Sequence, residues 1–130
     1  MDPRELYKQA FEAAAQGCYS EASRLLERCL RLEPDHIPAH KQLAFVLRMM
    51  GKLKEALAHR LEVKRLDPSD LGNRYHLSNL YLMLGDKEEA LQEADQILAL
   101  EPHNKNFCAL KDVILSKMRE PRVADRLHPI

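Results

Sequence analysis

Apolar residues recur at helical spacing along the chain, in paired segments that short polar turns separate. Within residues 37–50 they lie three and four positions apart, which places them on one broad face of an amphipathic α-helix. They are Ala39, Leu43, Ala44, Val46, Leu47 and Met50. A second apolar stripe begins after Gly51 and comprises Leu53, Ala56, Leu57, Val63 and Leu66. Gly51 suits the end of the first helix, and Pro68 cannot extend the second, so residues 37–70 are predicted to form a helix–turn–helix unit.

The same unit occurs three times with a period of 34 residues. Gly51, Ala56 and Pro68 each have an identical counterpart one period earlier and one period later. These counterparts are Gly17, Ala22 and Pro34, then Gly85, Ala90 and Pro102. Glycine tolerates the left-handed conformation that closes a helix, and a small alanine lets two helices approach closely. The chain therefore divides into the predicted repeats 3–36, 37–70 and 71–104.

The period and the register of these residues resemble the tetratricopeptide repeat (TPR), a helix–turn–helix unit of 34 residues. The resemblance covers residues 3 to about 118. It implies an all-α fold: a right-handed superhelical α-solenoid of three helix–turn–helix repeats with a seventh, capping helix. Repeats of this kind stack because each leaves an apolar face that its neighbour covers.

The seventh helix is predicted at residues 105–118. Its apolar stripe at helical spacing consists of Phe107, Leu110, Ile114 and Met118. Lys111 and Asp112 occupy positions that are apolar or small in the earlier first helices, which indicates a face without a further partner. We expect this helix to cover the last repeat.

The sequence also predicts where the stack of repeats begins and ends. Glu5 and Glu12 occupy positions where the later repeats pack on a preceding one, so no repeat is expected before the first. Residues 1–118 are predicted to form a single TPR domain. Residues 119–130 contain two prolines and no periodicity, and a flexible C-terminal tail is expected there.

Composition and charge narrow the functional classes. The 130 residues include 20 Lys plus Arg and 20 Asp plus Glu, so the net charge favours neither nucleic acid nor an anionic membrane. No segment approaches the ~18 consecutive apolar residues of a membrane span, and the N-terminal residues lack the apolar core of a secretory signal. Cys18, Cys29 and Cys108 form no CxxC pair, which is typical of a reducing compartment. A cytoplasmic location is therefore expected.

Motifs for catalysis or metal binding are absent from the sequence, which contains no Gly-rich phosphate loop, HExxH or GxSxG. His36 and His40 have the spacing of a helical metal pair, but no cysteine or carboxylate joins them at ligand spacing. We interpret them as surface histidines at a repeat junction. A polar cluster on the sixth helix is interpreted as a solvated face: Glu88, Glu89, Gln92, Glu93 and Asp95. No enzyme activity, metal or cofactor is expected.

The resemblance also implies a binding surface, because the first helices of successive TPRs line a concave groove that holds peptides. Transferring the lining positions by register gives the candidate site Arg4, Tyr7, Lys8, Phe11, Lys41, Gln42, Phe45, Arg48, Tyr75, His76 and Asn79. None of the transferred lining positions is acidic, although 20 of the 130 residues are acidic, and four of the seven aromatic residues fall among them. Aromatic anchors beside basic residues suit an acidic peptide that carries an apolar anchor.

The best-understood TPR class clamps the C-terminal carboxylate of heat-shock chaperones, and this chain departs from its pattern. That clamp has lysine and asparagine at the positions of Tyr7 and Phe11, and asparagine at that of Gln42. It has lysine and arginine at the positions of Gly72 and His76. Because every position differs, the chain is not expected to be a carboxylate-clamp member. A looser similarity is to small three-repeat secretion chaperones of bacteria.

Three functional classes follow from these features. The favoured one is a non-catalytic protein–protein interaction module, an adaptor or chaperone-like protein, whose peptide partner is unidentified. The first alternative is a structural scaffold that self-associates through the capping helix or the tail, since Val113 and Leu115 are expected to be exposed. A nucleic-acid binder that uses the basic, aromatic groove is the other alternative, against which the zero net charge argues. A monomer is expected, with a dimer open through the cap or tail.

Overall fold

The structure is a computed structural model that describes residues 1–120. Within these residues the chain forms seven α-helices and no strand. They are α1 (Pro3–Ala15), α2 (Tyr19–Leu32), α3 (Ile37–Met49), α4 (Leu53–Leu66), α5 (Leu71–Met83), α6 (Lys87–Leu100) and α7 (Lys105–Arg119). Each helix packs mainly against its neighbours in sequence, with α1 on α2, α3 on α4 and α5 on α6 as the closest pairs. The contacts of α2 with α3, of α4 with α5 and of α6 with α7 stack these pairs into a row, and α1 also contacts α3 and α5 contacts α7.

The helix ends follow from the repeated residues. Gly51 has a φ of 78°, and its amide and that of Lys52 donate to the carbonyls of Arg48 and Leu47, which closes α3. Gly17 and Gly85 have the same conformation at the ends of α1 and α5. At helix starts, Asp2, His36, Asp70 and Asn104 each accept a hydrogen bond from the backbone amide three residues later.

Small residues set how closely the paired helices pack. Ala44, Ala56 and Ala90 are fully or almost fully buried at the crossings of α3 with α4 and of α5 with α6. Ser78 takes the small position on α5, where its hydroxyl donates to the Ala90 carbonyl at 2.7 Å. A larger side chain at these crossings would have to push two helices apart.

One acidic residue of α6 contradicts the interpretation of that face as solvated. Glu93 is only 6% exposed, and its carboxylate accepts from Arg74 Nε at 3.2 Å and from the ammonium of Lys64. Arg74 also donates to Gln96. Glu93 therefore joins α4 and α5 to α6 through a buried ion pair, while its neighbours Glu88 and Glu89 are exposed as predicted.

The interpretation of the histidines as surface residues is wrong for His40, which is 7% exposed. Its Nε2 lies 2.7 Å from the Pro34 carbonyl oxygen and its Nδ1 lies 3.0 Å from Nδ1 of His59. Because a carbonyl can only accept, His40 Nε2 carries a hydrogen and donates it to Pro34, and the Nδ1 atoms of His40 and His59 share a second hydrogen bond. The pair thus links α3 to α4 and to the first repeat.

Helix α7 covers the last repeat. Phe107, Leu110 and Ile114 are buried against α6, and Lys111 forms a 2.8 Å ion pair with Asp95. The helix ends at Arg119, one residue beyond the predicted end, and most of the predicted tail (residues 121–130) lies outside the described residues. Across residues 1–120, no helix is both long and apolar enough to cross a bilayer.

Candidate functional site

Three adjoining cavities lie along the first helices α1, α3 and α5, and together they are called the groove. Their volumes are about 460, 390 and 350 Å³. Phe45 of α3 lines all three cavities, and its side chain remains 39% exposed. It is held there because the α3 residues on either side, Ala44 and Val46, face the core. The side chain of Phe45 thus forms a wall that all three cavities of the groove share.

The 460 Å³ central cavity contains an ion pair internal to the chain. Its lining includes Tyr7, Lys41, Gln42, Asp70 and His76. Lys41 Nζ lies 2.8 Å from the Asp70 carboxylate, which also accepts from the Asn73 amide at 2.9 Å. Burial opposes ionisation of Asp70, but these hydrogen bonds outweigh it and lower the pKa of the carboxyl. The charge of Lys41 is therefore largely satisfied within the chain.

The 390 Å³ cavity is called the basic cavity, because Arg48, Arg60 and His76 line it together with Tyr75 and Asn79. No carboxylate of the described residues lines it. Burial, with repulsion from Arg48, lowers the pKa of Arg60 to about 10, although Asp70 opposes this. Burial also lowers the pKa of His76, and the nearby Arg60 and Arg48 add to the effect. At neutral pH the cavity therefore holds two guanidinium cations and a neutral imidazole.

The 350 Å³ cavity is called the apolar cavity. Phe11, Ala14, Ala15 and Tyr19 form it with Phe45 and the side chain of Gln42. Phe11 is 53% exposed at its rim, where its ring lies 6.4 Å from that of Tyr7. An exposed phenylalanine beside small alanines leaves room for one large apolar side chain.

The structure gathers nine of the predicted site residues around these cavities and leaves two outside them. The nine are Tyr7, Phe11, Lys41, Gln42, Phe45, Arg48, Tyr75, His76 and Asn79. Arg4 and Lys8 are exposed on α1 and line none of the three. Tyr75 also stacks on Phe107 at 5.8 Å, so its ring serves the core as well as the basic cavity.

Seven lining residues come from outside the transferred positions, among them Arg60, Asp70 and Tyr19. Arg60 reaches the groove from the second helix α4, Asp70 caps α5 and Tyr19 begins α2. Arg60 could have been found from its spacing, because it lies four residues after Ala56 and three before Val63, in the buried stripe of α4. A charged residue in such a stripe is a candidate for a specific function.

Comparisons with known proteins agree with this architecture. A family model described as "Tetratricopeptide repeat" matches residues 13–59. The first TPR of Spaghetti (RPAP3), solved with the HSP90 peptide SRMEEVD, superposes with a TM-score of 0.83 at 18% identity, over 92% of this chain and 94% of that one. The second TPR domain of human RPAP3, in complex with the HSP70 peptide SGPTIEEVD, superposes with a TM-score of 0.76 at 21% identity, over 86% of this chain and 97% of that one. A MamA double mutant superposes with a TM-score of 0.84 at 23% identity, over 92% of this chain and 67% of that one.

The curated relatives are much longer than the chain. The TPR repeat-containing thioredoxin TTL4 of Arabidopsis thaliana is 35% identical over 80 residues, which is 62% of this chain and 12% of that protein. The inactive TPR repeat-containing thioredoxin TTL3 of the same plant is 33% identical over the same shares. The chain thus spans about an eighth of the length of these relatives, and it has no CxxC pair of the thioredoxin type.

The stacked helix pairs and the open groove define an all-α repeat protein of the solenoid class. The 34-residue register, the family-model match over residues 13–59 and the fold shared with solved TPR domains fit a member of the tetratricopeptide repeat family. Domains of this family mediate protein–protein interactions and are typically not enzymes.

Proposed function

We propose that the chain is a non-catalytic interaction module, an adaptor or chaperone-like protein of the cytoplasm. Its ligand is a peptide segment that carries acidic residues and an apolar anchor, and the groove is the binding site. The observation that carries this proposal is the position of Phe45, a half-exposed ring shared by an apolar cavity on one side and a basic cavity on the other. An apolar and a cationic site at one ring match the two parts of such a peptide.

The apolar part of the peptide fits the cavity between Phe11 and Phe45. Its volume of about 350 Å³ is at the lower end of the range of ligand pockets and suits a single large side chain. The acidic part lies toward Arg48, which is exposed on α3. Lys41 contributes less than its sequence position suggests, because Asp70 already neutralises it at 2.8 Å.

The solved relatives support a peptide ligand without naming this one. Both RPAP3 domains hold acidic peptides that end in EEVD. At the positions of the carboxylate clamp, however, this chain has Tyr7, Phe11, Gln42, Gly72 and His76. We therefore propose an acidic peptide bound through side chains of a different chemistry, and the clamped chaperone tail is not the proposed ligand.

Selection from a random peptide library tests the proposal. Selected peptides should be acidic with at least one large apolar residue, and Phe45→Ala and Arg48→Glu should each weaken their binding by tenfold or more in isothermal titration calorimetry. The matched control is Glu88→Lys with Glu89→Lys, exposed residues on the outer helix α6. If the control abolishes binding while the groove variants do not, the partner binds the outer face and the groove is not the site.

A self-associating scaffold is the second candidate, because α7 leaves Val113 48% exposed. Multi-angle light scattering across a concentration series separates the two proposals. A monomer at all concentrations excludes the scaffold. A dimer that Val113→Lys dissociates, with no selected peptides, favours it.

A further inference from the structure

The guanidinium of Arg60 is buried without an acidic partner. Arg60 is 8% exposed, and its NH1 group donates to Asn73 Oδ1 at 3.3 Å. Within residues 1–120, no carboxylate oxygen lies within 4.0 Å of the guanidinium. The acid that faces it, Asp70, is already occupied by Lys41 and by the Asn73 amide. The buried cation therefore has one hydrogen bond to a neutral group and the attraction of Asp70 at longer range, but no carboxylate in direct contact.

Such an arrangement is unfavourable for the isolated protein. An ionised side chain removed from water is stabilised by a charge of opposite sign, and burial without one destabilises the charged form. The pKa of Arg60 is lowered to about 10, so the group is still protonated at neutral pH. The remaining donors of a guanidinium are directional and fixed in a plane, so they favour an oxyanion.

The surroundings of Arg60 supply further groups for an anion. Arg48 from α3 and His76 from α5 line the same 390 Å³ cavity, and Tyr75 and Asn79 complete its polar wall. Arg48 also forms no ion pair within the described part of the chain. Three helices thus line one space with cationic or hydrogen-bonding side chains and no described acid, while Arg60 and His76 also line the adjoining central cavity that contains Asp70.

We propose that the basic cavity is an oxyanion-binding site, in which a carboxylate or phosphate group of a bound peptide accepts hydrogen bonds from Arg60 and Arg48 beside His76. This inference rests on the proposed peptide-binding function, and it assigns the anionic part of the peptide to the basic cavity. The central donor comes from the second helix α4, which carries none of the clamp positions. The anion compensates Arg60, so occupancy also stabilises the fold.

The first experiment uses the full chain with small probes. Inorganic phosphate and succinate are titrated separately into labelled protein, and the arginine Nε–Hε resonances are followed by NMR. Saturable shifts of Arg60 and Arg48 are expected, with chloride at equal ionic strength producing neither. Tighter binding of phosphate identifies a phosphorylated residue as the source of the anion, and tighter binding of succinate identifies carboxylates. Shifts that do not saturate overturn the proposal.

Matched variants locate the site. Arg60→Gln should abolish the saturable shifts, whereas Arg65→Gln, an exposed change on the same helix, should leave them unchanged. If Arg60→Gln does not fold, the exposed variants Arg48→Gln and His76→Gln decide, each with an expected loss of at least fivefold in affinity. Shifts that persist in these variants place the anion elsewhere and overturn the proposal.

The outcome separates this inference from the peptide-binding function. Peptides that bind through Phe45 but are insensitive both to phosphate or succinate competition and to Arg60→Gln would overturn the anion site and leave the function standing. Probe binding that requires Arg60, without any peptide selected from the library, would support the site and refute the peptide function.

Discussion

Removal of the buried carboxylate of Glu93 should be among the most destabilising single changes in the chain. Glu93→Ala leaves Arg74, whose side chain is 10% exposed, without the oxygen that now lies 3.2 Å from its Nε. Lys64 loses the same partner, but its side chain is 32% exposed and can turn to water. The cost therefore falls mainly on Arg74, and on the packing between α5 and α6.

The expected loss is about 3 kcal/mol in the free energy of unfolding. Removing one member of a buried ion pair typically costs ~3–5 kcal/mol, because an uncompensated charge remains. We take the lower end because Gln96 still accepts from Arg74 after the change. For a domain of this size the loss corresponds to a melting temperature lower by roughly 10 °C.

Urea denaturation followed by circular dichroism measures the effect, with Glu89→Ala on the exposed face of the same helix as the control. The control should change stability by less than about 0.5 kcal/mol. Joint replacement of the pair, Glu93→Leu with Arg74→Met, should recover most of the loss, because no buried charge then remains. Equal effects of Glu93→Ala and Glu89→Ala would show that Glu93 is solvated, as its sequence context suggested.

Three further changes test the packing and the titration of the fold. Ala56→Leu should cost ~1–3 kcal/mol by thermal denaturation, because the residue is fully buried where α3 meets α4; no loss would place it on the surface. Deletion of residues 105–130 should lower the melting temperature by roughly 10 °C or more, since Phe107 and Ile114 bury the last repeat; an unchanged melt would contradict the capping role. Burial and the nearby His40 lower the pKa of His59 in the folded chain from its ordinary value of 6.5. The unfolded chain therefore binds more protons than the folded chain just below pH 6.5, and the free energy of unfolding should fall as the pH drops from 7 to 5. His59→Gln should flatten this dependence, and an equally steep profile in that variant would refute the assignment.

The sequence predicts the fold well because the residues that end the helices and allow their close packing recur at equivalent positions in three repeats. Gly17, Gly51 and Gly85 all adopt positive φ at the predicted helix ends, and each predicted helix exists. One copy alone would leave the ends ambiguous. Three copies in register remove that ambiguity, because chance rarely repeats a glycine, an alanine and a proline at a constant period.

The candidate site was predicted less completely, for a reason that lies in side-chain length. Alignment of the repeats by their 34-residue period identifies equivalent backbone positions, and three of the residues chosen in this way line one cavity: Phe45, Arg48 and His76. It could not show that Arg60 extends from a second helix into the groove, or that Asp70 pairs with Lys41. Those contacts depend on rotamers and on long flexible side chains, which periodicity does not encode.

The two most informative buried charges of this protein differ in whether the chain supplies their partner. Glu93 has two cations beside it, so its burial serves the stability of the last repeats. Arg60 donates a hydrogen bond only to the neutral side chain of Asn73, and Asp70 attracts it without direct contact, so its burial contributes little to stability and calls for another explanation. Arg60→Gln removes that charge and can keep an amide donor toward Asn73, and we expect the free energy of unfolding to change by less than about 1 kcal/mol. A loss as large as that of Glu93→Ala would mean that Arg60 is a structural residue, and the buried guanidinium would then give no reason to place an anion in the basic cavity.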